Sequence, residues 1–429
     1  MDKTFAITTL GCKLNFSESS EIARQLNDNG YTKIESEKNA GLIIINTCTV
    51  TELANKKSKQ AIKKMVKNNP LAKVIAVGCY SELKPSEVSQ IQGVDLVLGA
   101  NNKFEITNLL TKLENNQNID ISQSVQDKSF KPSYSFGDRT RSFLKIQDGC
   151  DYFCSYCAIP FARGSSRNNN IESTIKIARD IVEKGVKEII LTGVNIGDYG
   201  KSTNESLLAL LKALVKIKGL KRLRISSIEP NLLNDEIIEF AAQSDVIVPH
   251  FHIPLQCGTD NLLRLMRRRY TTRLFKSRVE KIKSLMPEAC IAADVIVGVP
   301  GESNEEFKNA CDFISSIDVS YLHVFTYSER ENTMAIKMEN QVPINIRKER
   351  SKVMHDLAKN KQEIFHKEHL NTERLVLFEH DYDNEFMYGF TDNYIRVKAP
   401  LNKELINNIS SVQLLSIAPN NMVICEIIK

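Results

Sequence analysis

Three cysteines crowd one short stretch, Cys150-x3-Cys154-x2-Cys157, just after an apolar run at residues 143–146. Three thiolates this close can hold three irons of one cubane cluster from a single loop, since cysteine is the usual ligand of such clusters. A fourth iron then lacks a protein ligand, and an open iron is where a small chelating molecule binds. Structural zinc wants four ligands, and no fourth Cys or His stands nearby. Cys12, Cys48 and Cys79 are far apart in sequence, but each ends an apolar run, at 5–10, 42–45 and 74–77. The ends of neighbouring parallel strands converge on one sheet edge, where open α/β folds place ligands. On the residues alone, these three are either a second cluster site or three small core residues, because free cysteine is often buried. Cys290, Cys311 and Cys425 read as core.

The elements that position these thiols follow from periodicity. Over the first ~110 residues, apolar runs alternate with helical stretches, which predicts βαβ units and a parallel sheet. Residues 113–138 are rich in Asn, Gln and Ser and read as a linker between a first domain, 1–112, and a second, 139–368. The second domain offers strands at 143–146, 188–192, 223–226, 251–255, 292–297 and 321–325. Helical segments, such as 171–184, 205–216, 262–268 and 305–317, lie between them. Six βα units predict a closed or partly closed barrel with its site at the C-terminal strand ends. A charged helix from 344 to about 370 leads to 369–429, where five short strands predict a small all-β barrel or sandwich.

Composition sets the outer bounds. The chain has 429 residues, 42% hydrophobic and 25% charged, with a net charge of +5, which allows an anionic partner without requiring one. No apolar run approaches the ~20 residues that cross a bilayer, and the first residues do not read as a signal peptide. The expectation is a soluble, cytoplasmic protein, where ten cysteines serve as ligands, catalysts or core residues rather than disulfides.

Polar and glycine-rich segments end the predicted barrel strands: GSSR at 164–167, LTGVNIGDYG at 191–200, SSIEP at 226–230 and ADVIVGVPGES at 293–303. Polar side chains there can hold ribose, amino and carboxylate groups, although each segment alone is also an ordinary turn. Arg267, Arg268, Arg269 and Arg273 form a dense positive group suited to phosphate and base contacts, or else a solvated helix end. Lys56, Lys57, Lys59, Lys63, Lys64 and Lys67 spread around a helix and read as a solvated face.

The Cx3Cx2C loop, with Tyr156 before its last cysteine, resembles the signature of radical-SAM enzymes. TLGCKLN, INTCTV and AVGCY resemble motifs of the methylthiotransferases within that group. The resemblance spans nearly the whole chain. It implies an α/β protein with an N-terminal parallel-sheet domain, a partial (β/α)6 radical-SAM barrel and a small C-terminal all-β TRAM domain, the last carried by GFTDNYIRV at 389–397. It also implies two [4Fe–4S] clusters, on Cys12, Cys48 and Cys79 and on Cys150, Cys154 and Cys157, with S-adenosyl-L-methionine on the second. By resemblance, Asn195, Glu229, Arg167 and Gln256 lie near that molecule, and Val295 and Val297 pack on its adenine. Cys257 stands where the family usually has Ser and reads as a tolerated small residue. RRRYT at 267–271 resembles the branch acting on threonylcarbamoyl-adenosine beside the tRNA anticodon. The alternatives are isopentenyl-adenosine tRNA, a ribosomal-protein aspartate, or a non-catalytic iron–sulfur RNA-binding or redox-sensing protein. The implied partners are the tRNA anticodon stem-loop and an electron donor such as flavodoxin or ferredoxin, with the chain a monomer.

Overall fold

A computed structural model describes residues 2–35, 40–114, 129–137 and 139–428. The chain forms two compact units. The first comprises residues up to 136, 143–169 and 328–336; the second comprises 137–142, 170–327 and 337 onward. The N-terminal unit thus takes back two later segments, which a linear reading with a linker at 113–138 does not foresee. Most of that predicted linker lies outside the described residues.

The first unit is built on a parallel sheet in the order β2-β1-β3-β4-β5. Its strands are β1 (Thr4–Thr9), β2 (Thr32–Lys33), β3 (Leu42–Thr47), β4 (Lys73–Gly78) and β5 (Leu96–Leu98). The central strands are near-continuous apolar runs, the pattern of a sheet covered on both faces. Helices α1 (Lys13–Asp28), α2 (Glu52–Asn68), α3 (Cys79–Leu83), α4 (Pro85–Ser89) and α5 (Ile106–Glu114) connect them. Phe5, Ile44 and Val77 face one core with Ile22 and Leu26 of α1, while Ile43, Ile45 and Ala76 face a second with Ile62 and Met65 of α2. Thr51 caps α2 by accepting from the Ala54 amide at 3.1 Å. The lysines of α2 lie opposite its buried stripe of Asn55, Ser58, Ile62 and Met65, largely in solvent, as expected. The same unit holds a β6 (Ser133–Tyr134) and β7 (Ser142–Lys145) hairpin, the pair β8 (Gln147–Asp148) and β9 (Arg167–Asn168), and α6 (Ile159–Arg163).

In the second unit, parallel strands alternate with helices. They are α7 (Ile171–Glu183), β10 (Glu188–Thr192), α8 (Leu207–Leu214), β11 (Arg222–Arg224), α9 (Asp235–Ala242), β12 (His250–His252), α10 (Asp260–Leu265), α11 (Thr272–Leu285), β13 (Cys290–Val297), α12 (Asn304–Ser316) and β14 (Tyr321–Thr326). β10 pairs with β11, and β12, β13 and β14 form a ladder. Ser227 and His252 bridge the two sets. β11 and β12 are shorter than the expected 223–226 and 251–255. Pro254 supplies no N–H, and the ladder slips by one residue there. Ile253 N donates to Ala292 O at 2.9 Å, and Gln256 N, rather than Leu255 N, donates to Asp294 O at 2.7 Å.

α13 (Ile344–Glu368) then leads to a closed barrel of five strands: β15 (Glu373–Tyr382), β16 (Phe386–Thr391), β17 (Arg396–Pro400), β18 (Ile409–Ile417) and β19 (Val423–Ile427). The barrel rests on the α/β part of its own unit. Arg222 donates to the carbonyls of Phe390 and Leu375, and Arg224 donates to that of Asp392. Asn393 Nδ2 donates to Glu288 O at 3.0 Å. Below them the buried Glu188 carboxylate, lowered to about 2, is held ionised against its burial by Arg224 and Arg141. The GFTDNYIRV segment, which carries the likeness to a TRAM domain, thus places Phe390, Asp392, Asn393 and Tyr394 against the α/β part of the same unit. Among the described residues, no helix is long and apolar enough to cross a membrane.

Candidate functional site

The two cysteine trios lie in the same compact unit. Cys48 directly follows β3, Cys79 opens α3 at the end of β4, and Cys12 is the N-cap of α1, three residues past β1. β1, β3 and β4 are adjacent, so the expected convergence on one sheet edge holds. Gly11 has φ +106°, and a Cβ there would lie 2.9 Å from Cys48 Cβ and 3.0 Å from its Sγ. The chain can bring Cys12 against Cys48 only through a residue without a side chain. Cys12 is exposed, whereas Cys48 and Cys79 are buried. Burial pushes the Cys48 thiol up to about 11, with the neighbouring Cys12 and Cys79 adding to the rise. These thiols suit a ligand that takes them as thiolates and returns positive charge.

Cys150, Cys154 and Cys157 lie on the loop between β8 and α6. The loop is pinned by Cys150 N donating to Gly164 O and Cys157 N to Cys154 O, each at 3.0 Å. Gly149 has φ +69°, and a Cβ there would overlap the Ser165 carbonyl. Each trio offers three thiols, the number that fits a cubane with one open iron.

A buried ion network joins the elements that carry the two trios. Glu18 of α1, fully buried, pairs with Lys103, with Lys145 at 3.0 Å and with Arg163 at 3.0 Å. Asp148 pairs with Lys145 at 2.6 Å, Arg163 at 2.9 Å and Arg167 at 3.2 Å. Burial alone would raise both carboxyls, but the cations around them hold both well below the usual carboxylate range. Arg163 also donates to Asn15 Oδ1 at 3.0 Å, the atom 3.7 Å from Cys12 Sγ. Against its own burial, Cys79, Glu18 and Asp148 raise the Arg163 guanidinium well above its ordinary value. Four buried cations face two buried carboxylates, which leaves an excess of positive charge in the network. The sequence reading missed Glu18, Lys103, Lys145 and Asp148 entirely. Arg167, expected beside S-adenosylmethionine, is part of this network, donating to Asn101 Oδ1, Asp148 and the carbonyls of Arg163 and Ser165.

In the second unit, Asn195, Glu229 and Gln256 follow β10, β11 and β12, and all three are buried at the C-terminal ends of neighbouring strands. Gln256 adopts φ +64° at the slipped register. Glu229 pairs with Arg268; burial raises its carboxyl, and Arg268 opposes that rise. Arg268 is therefore a correction to the expected surface group. α10 ends in a Schellman turn, with Arg268 N donating to Leu263 O at 2.9 Å, Arg267 N to Arg264 O at 3.0 Å, and Arg267 at φ +59°. The turn sends Arg268 inward, while Arg267, Arg269 and Arg273 stay exposed. Val295 and Val297 are buried, whereas Asp294 and Ile296, on the alternate face of β13, are half-buried. On the Asp294 face, Asp294 Oδ1 lies 2.8 Å from His252 Nε2, with His323 beside them, a cluster no sequence motif announced. Cys290 and Cys425 are buried as expected, whereas Cys311 is half-buried; Cys257 is buried as well. A cavity of about 690 Å³ lined by Lys187, Lys221 and Asp392 opens at the opposite, N-terminal strand ends.

A family model described as Radical SAM superfamily matches residues 144–314, and one described as Uncharacterized protein family UPF0004 matches 4–99. The class is that of radical-SAM iron–sulfur enzymes. The chain is 38% identical over 422 residues to "Threonylcarbamoyladenosine tRNA methylthiotransferase MtaB" of Bacillus subtilis, covering 96% of this chain and 94% of that one. It is 36% identical to the protein of that name in Thermotoga maritima, covering 99% and 97%. The chain belongs to the methylthiotransferase family of radical-SAM enzymes. Its fold is similar to that of a radical S-adenosylmethionine methyltransferase, TsrM, from Kitasatospora setae, with a TM-score of 0.55 and 15% identity over 76% of this chain and 75% of that one.

Proposed function

We propose that this chain places a methylthio group on C2 of threonylcarbamoyl-adenosine beside the tRNA anticodon. The observation that carries the reading is the pair of cysteine trios held in one compact unit by a shared ion network. Full-length likeness to enzymes of that name specifies the substrate. Two [4Fe–4S] clusters and S-adenosyl-L-methionine supply the radical that activates the adenine carbon and the sulfur that is transferred to it.

The chain's own groups bind and position. Cys12, Cys48 and Cys79 hold one cluster, and Cys150, Cys154 and Cys157 hold the other. Asn195, Glu229 and Gln256, at the ends of neighbouring strands, take the polar groups of S-adenosylmethionine, and Arg268 fixes the Glu229 carboxylate. The exposed Arg267, Arg269 and Arg273 contact tRNA phosphates. The parallel strands are read as part of a partial (β/α)6 barrel and the closed five-stranded barrel as a TRAM domain. Flavodoxin or ferredoxin is the electron donor, and the chain works as a monomer in the cytoplasm.

Mass spectrometry of tRNA nucleosides from cells with and without the gene tests the substrate. The expected result is loss of the methylthio-threonylcarbamoyl nucleoside alone. Loss of the isopentenyl counterpart instead overturns it. A fully loaded protein that, with dithionite, releases no 5′-deoxyadenosine would be a sensor and not this enzyme.

A further inference from the structure

The face of β12, β13 and β14 that carries Asp294 changes character along its length. Near the C-terminal strand ends, half-buried Ile296 and exposed Phe325 form an apolar cross-strand pair. One pair deeper come Asp294 and His323, with His252 beside them on β12. Deeper again, Tyr321 ends the row, its ring edge-on to that of His323 at 4.7 Å. The His323 and His252 rings are 5.1 Å apart. Asp294, His252 and His323 are all half-buried rather than sealed in the core. Burial would raise the Asp294 carboxyl, but His252, and after it His323 and Arg268, hold it below its ordinary value. Asp294 Oδ1 accepts from His252 Nε2 at 2.8 Å, and Oδ2 makes no hydrogen bond among the described residues.

A carboxylate with one open oxygen, beside two imidazoles, is costly in an enclosed space unless a polar ligand meets it. The recess adjoins the residues assigned to S-adenosylmethionine. Gln256 N donates to Asp294 O at 2.7 Å, and the Asp294 charge acts on Glu229. An adenosine that presents C2 to that molecule carries its N6 substituent on the same edge of the ring. The offset is less than the roughly 7 Å between alternate residues of a strand. We propose that Asp294, His252 and His323 read the N6 substituent of the target adenosine. Asp294 Oδ2 accepts from a hydroxyl or N–H of the threonylcarbamoyl chain, an imidazole donates to that chain's carboxylate, and the Ile296–Phe325 pair packs on the ring. An isopentenyl group offers none of these partners and strands the Asp294 carboxylate, a mismatch that discriminates far more strongly than a gap in an apolar pocket. The inference rests on the methylthiotransferase reading and adds to it the side chains that select the modified base.

The test uses anaerobic, fully loaded, full-length protein and three synthetic anticodon stem-loops that differ only at the target adenosine: threonylcarbamoylated, isopentenylated or unmodified. Dissociation constants are read by fluorescence anisotropy. The wild type is expected to hold the threonylcarbamoyl loop tightest. His323→Phe should cut its preference for that loop over the unmodified one by about tenfold, the worth of one charge-assisted hydrogen bond. The same variant should not lower the isopentenyl-to-unmodified ratio. His323→Gln keeps a donor and should lose less, whereas Asp294→Asn keeps the shape without the charge and should lose about as much as His323→Phe. Each reading is a ratio between loops on one preparation, so partial loading or a general loss of RNA affinity cancels. Ratios equal to the wild type's in all three variants overturn the proposal, as does a wild type that binds the three loops alike. A preference that appears only with added zinc or manganese gives the trio to a cation and overturns it too. The substrate reading is judged separately by the nucleoside analysis and survives each of these results.

Discussion

At the scale of single residues, Glu18 is the position on which the first unit most depends. It is the common acceptor for Lys103, Lys145 and Arg163, all buried with it. Removing one partner of a buried ion set leaves charge that neither water nor protein compensates, at a cost of about 3–5 kcal/mol. Glu18→Gln keeps the shape and removes the charge, and should lower stability by about that much in urea unfolding of the iron-free protein. The sign with pH follows from the depressed carboxyls of Glu18 and Asp148. The folded protein keeps them ionised where the unfolded chain, near pH 4, has taken up protons. Their contribution is present above that range and is lost as pH falls toward the folded values. The iron-free protein should therefore lose stability below about pH 5, and Glu18→Gln should lose it less steeply. Equal slopes would mean that Glu18 titrates as it does in the unfolded chain. The cysteines were legible because their type and spacing are chemically specific. Glu18 was not, because Arg163 stands 145 positions away and neither residue belongs to a motif.

At the scale of elements, the strands were legible and the turns that aim the thiols were not. Runs such as 42–45 and 74–77 could only be buried strands, and they fold as β3 and β4. α1 was found as a helix, but its buried side carries Asn15, Ser17, Glu18, Ser19 and Ser20 beside Ile22 and Leu26. Apolar periodicity therefore could not show which face points inward. Nor could it show the Schellman turn after α10, where Arg267 rather than glycine or asparagine takes the left-handed position. The turn before Cys150 is the sharper case. Gly149 is left-handed, and its missing side chain is the space occupied by the Ser165 carbonyl. Gly149→Ala must shift backbone on one side of the loop, and with it the Cys150 amide that donates to Gly164 O. Iron per chain should fall from about eight, two cubanes' worth, toward about four, with the cluster on the other trio retained. Iron analysis after anaerobic reconstitution reads this directly, and full loading would show that the loop tolerates the added carbon.

At the scale of the whole molecule, chain order and compactness disagree, and the disagreement follows the chemistry. Residues 143–169 carry the cysteine loop that the sequence assigns to a barrel domain; they and 328–336 pack with the N-terminal sheet. Sequence-local reasoning divides a chain where composition changes, but a compact unit is set by which side chains bury together, here Glu18 with Lys145, Arg163 and Arg167's partner Asp148. A consequence can be measured. The six cysteines proposed to hold the clusters and their ion network belong to one unit, so iron bound there would stabilise that unit's folded state by mass action. Removing iron with a chelator should accelerate amide exchange around 10–18, 48–58, 79–83 and 149–167. Protection in β13 and β14 and in the closed barrel of β15 to β19, where the described residues include no cluster cysteine, should stay as it was. Hydrogen-exchange mass spectrometry of loaded and stripped protein separates these regions peptide by peptide. If β13 and the closed barrel lost protection as fast as the cysteine loops, the two units would open together, and the metal would hold the whole chain rather than one part of it.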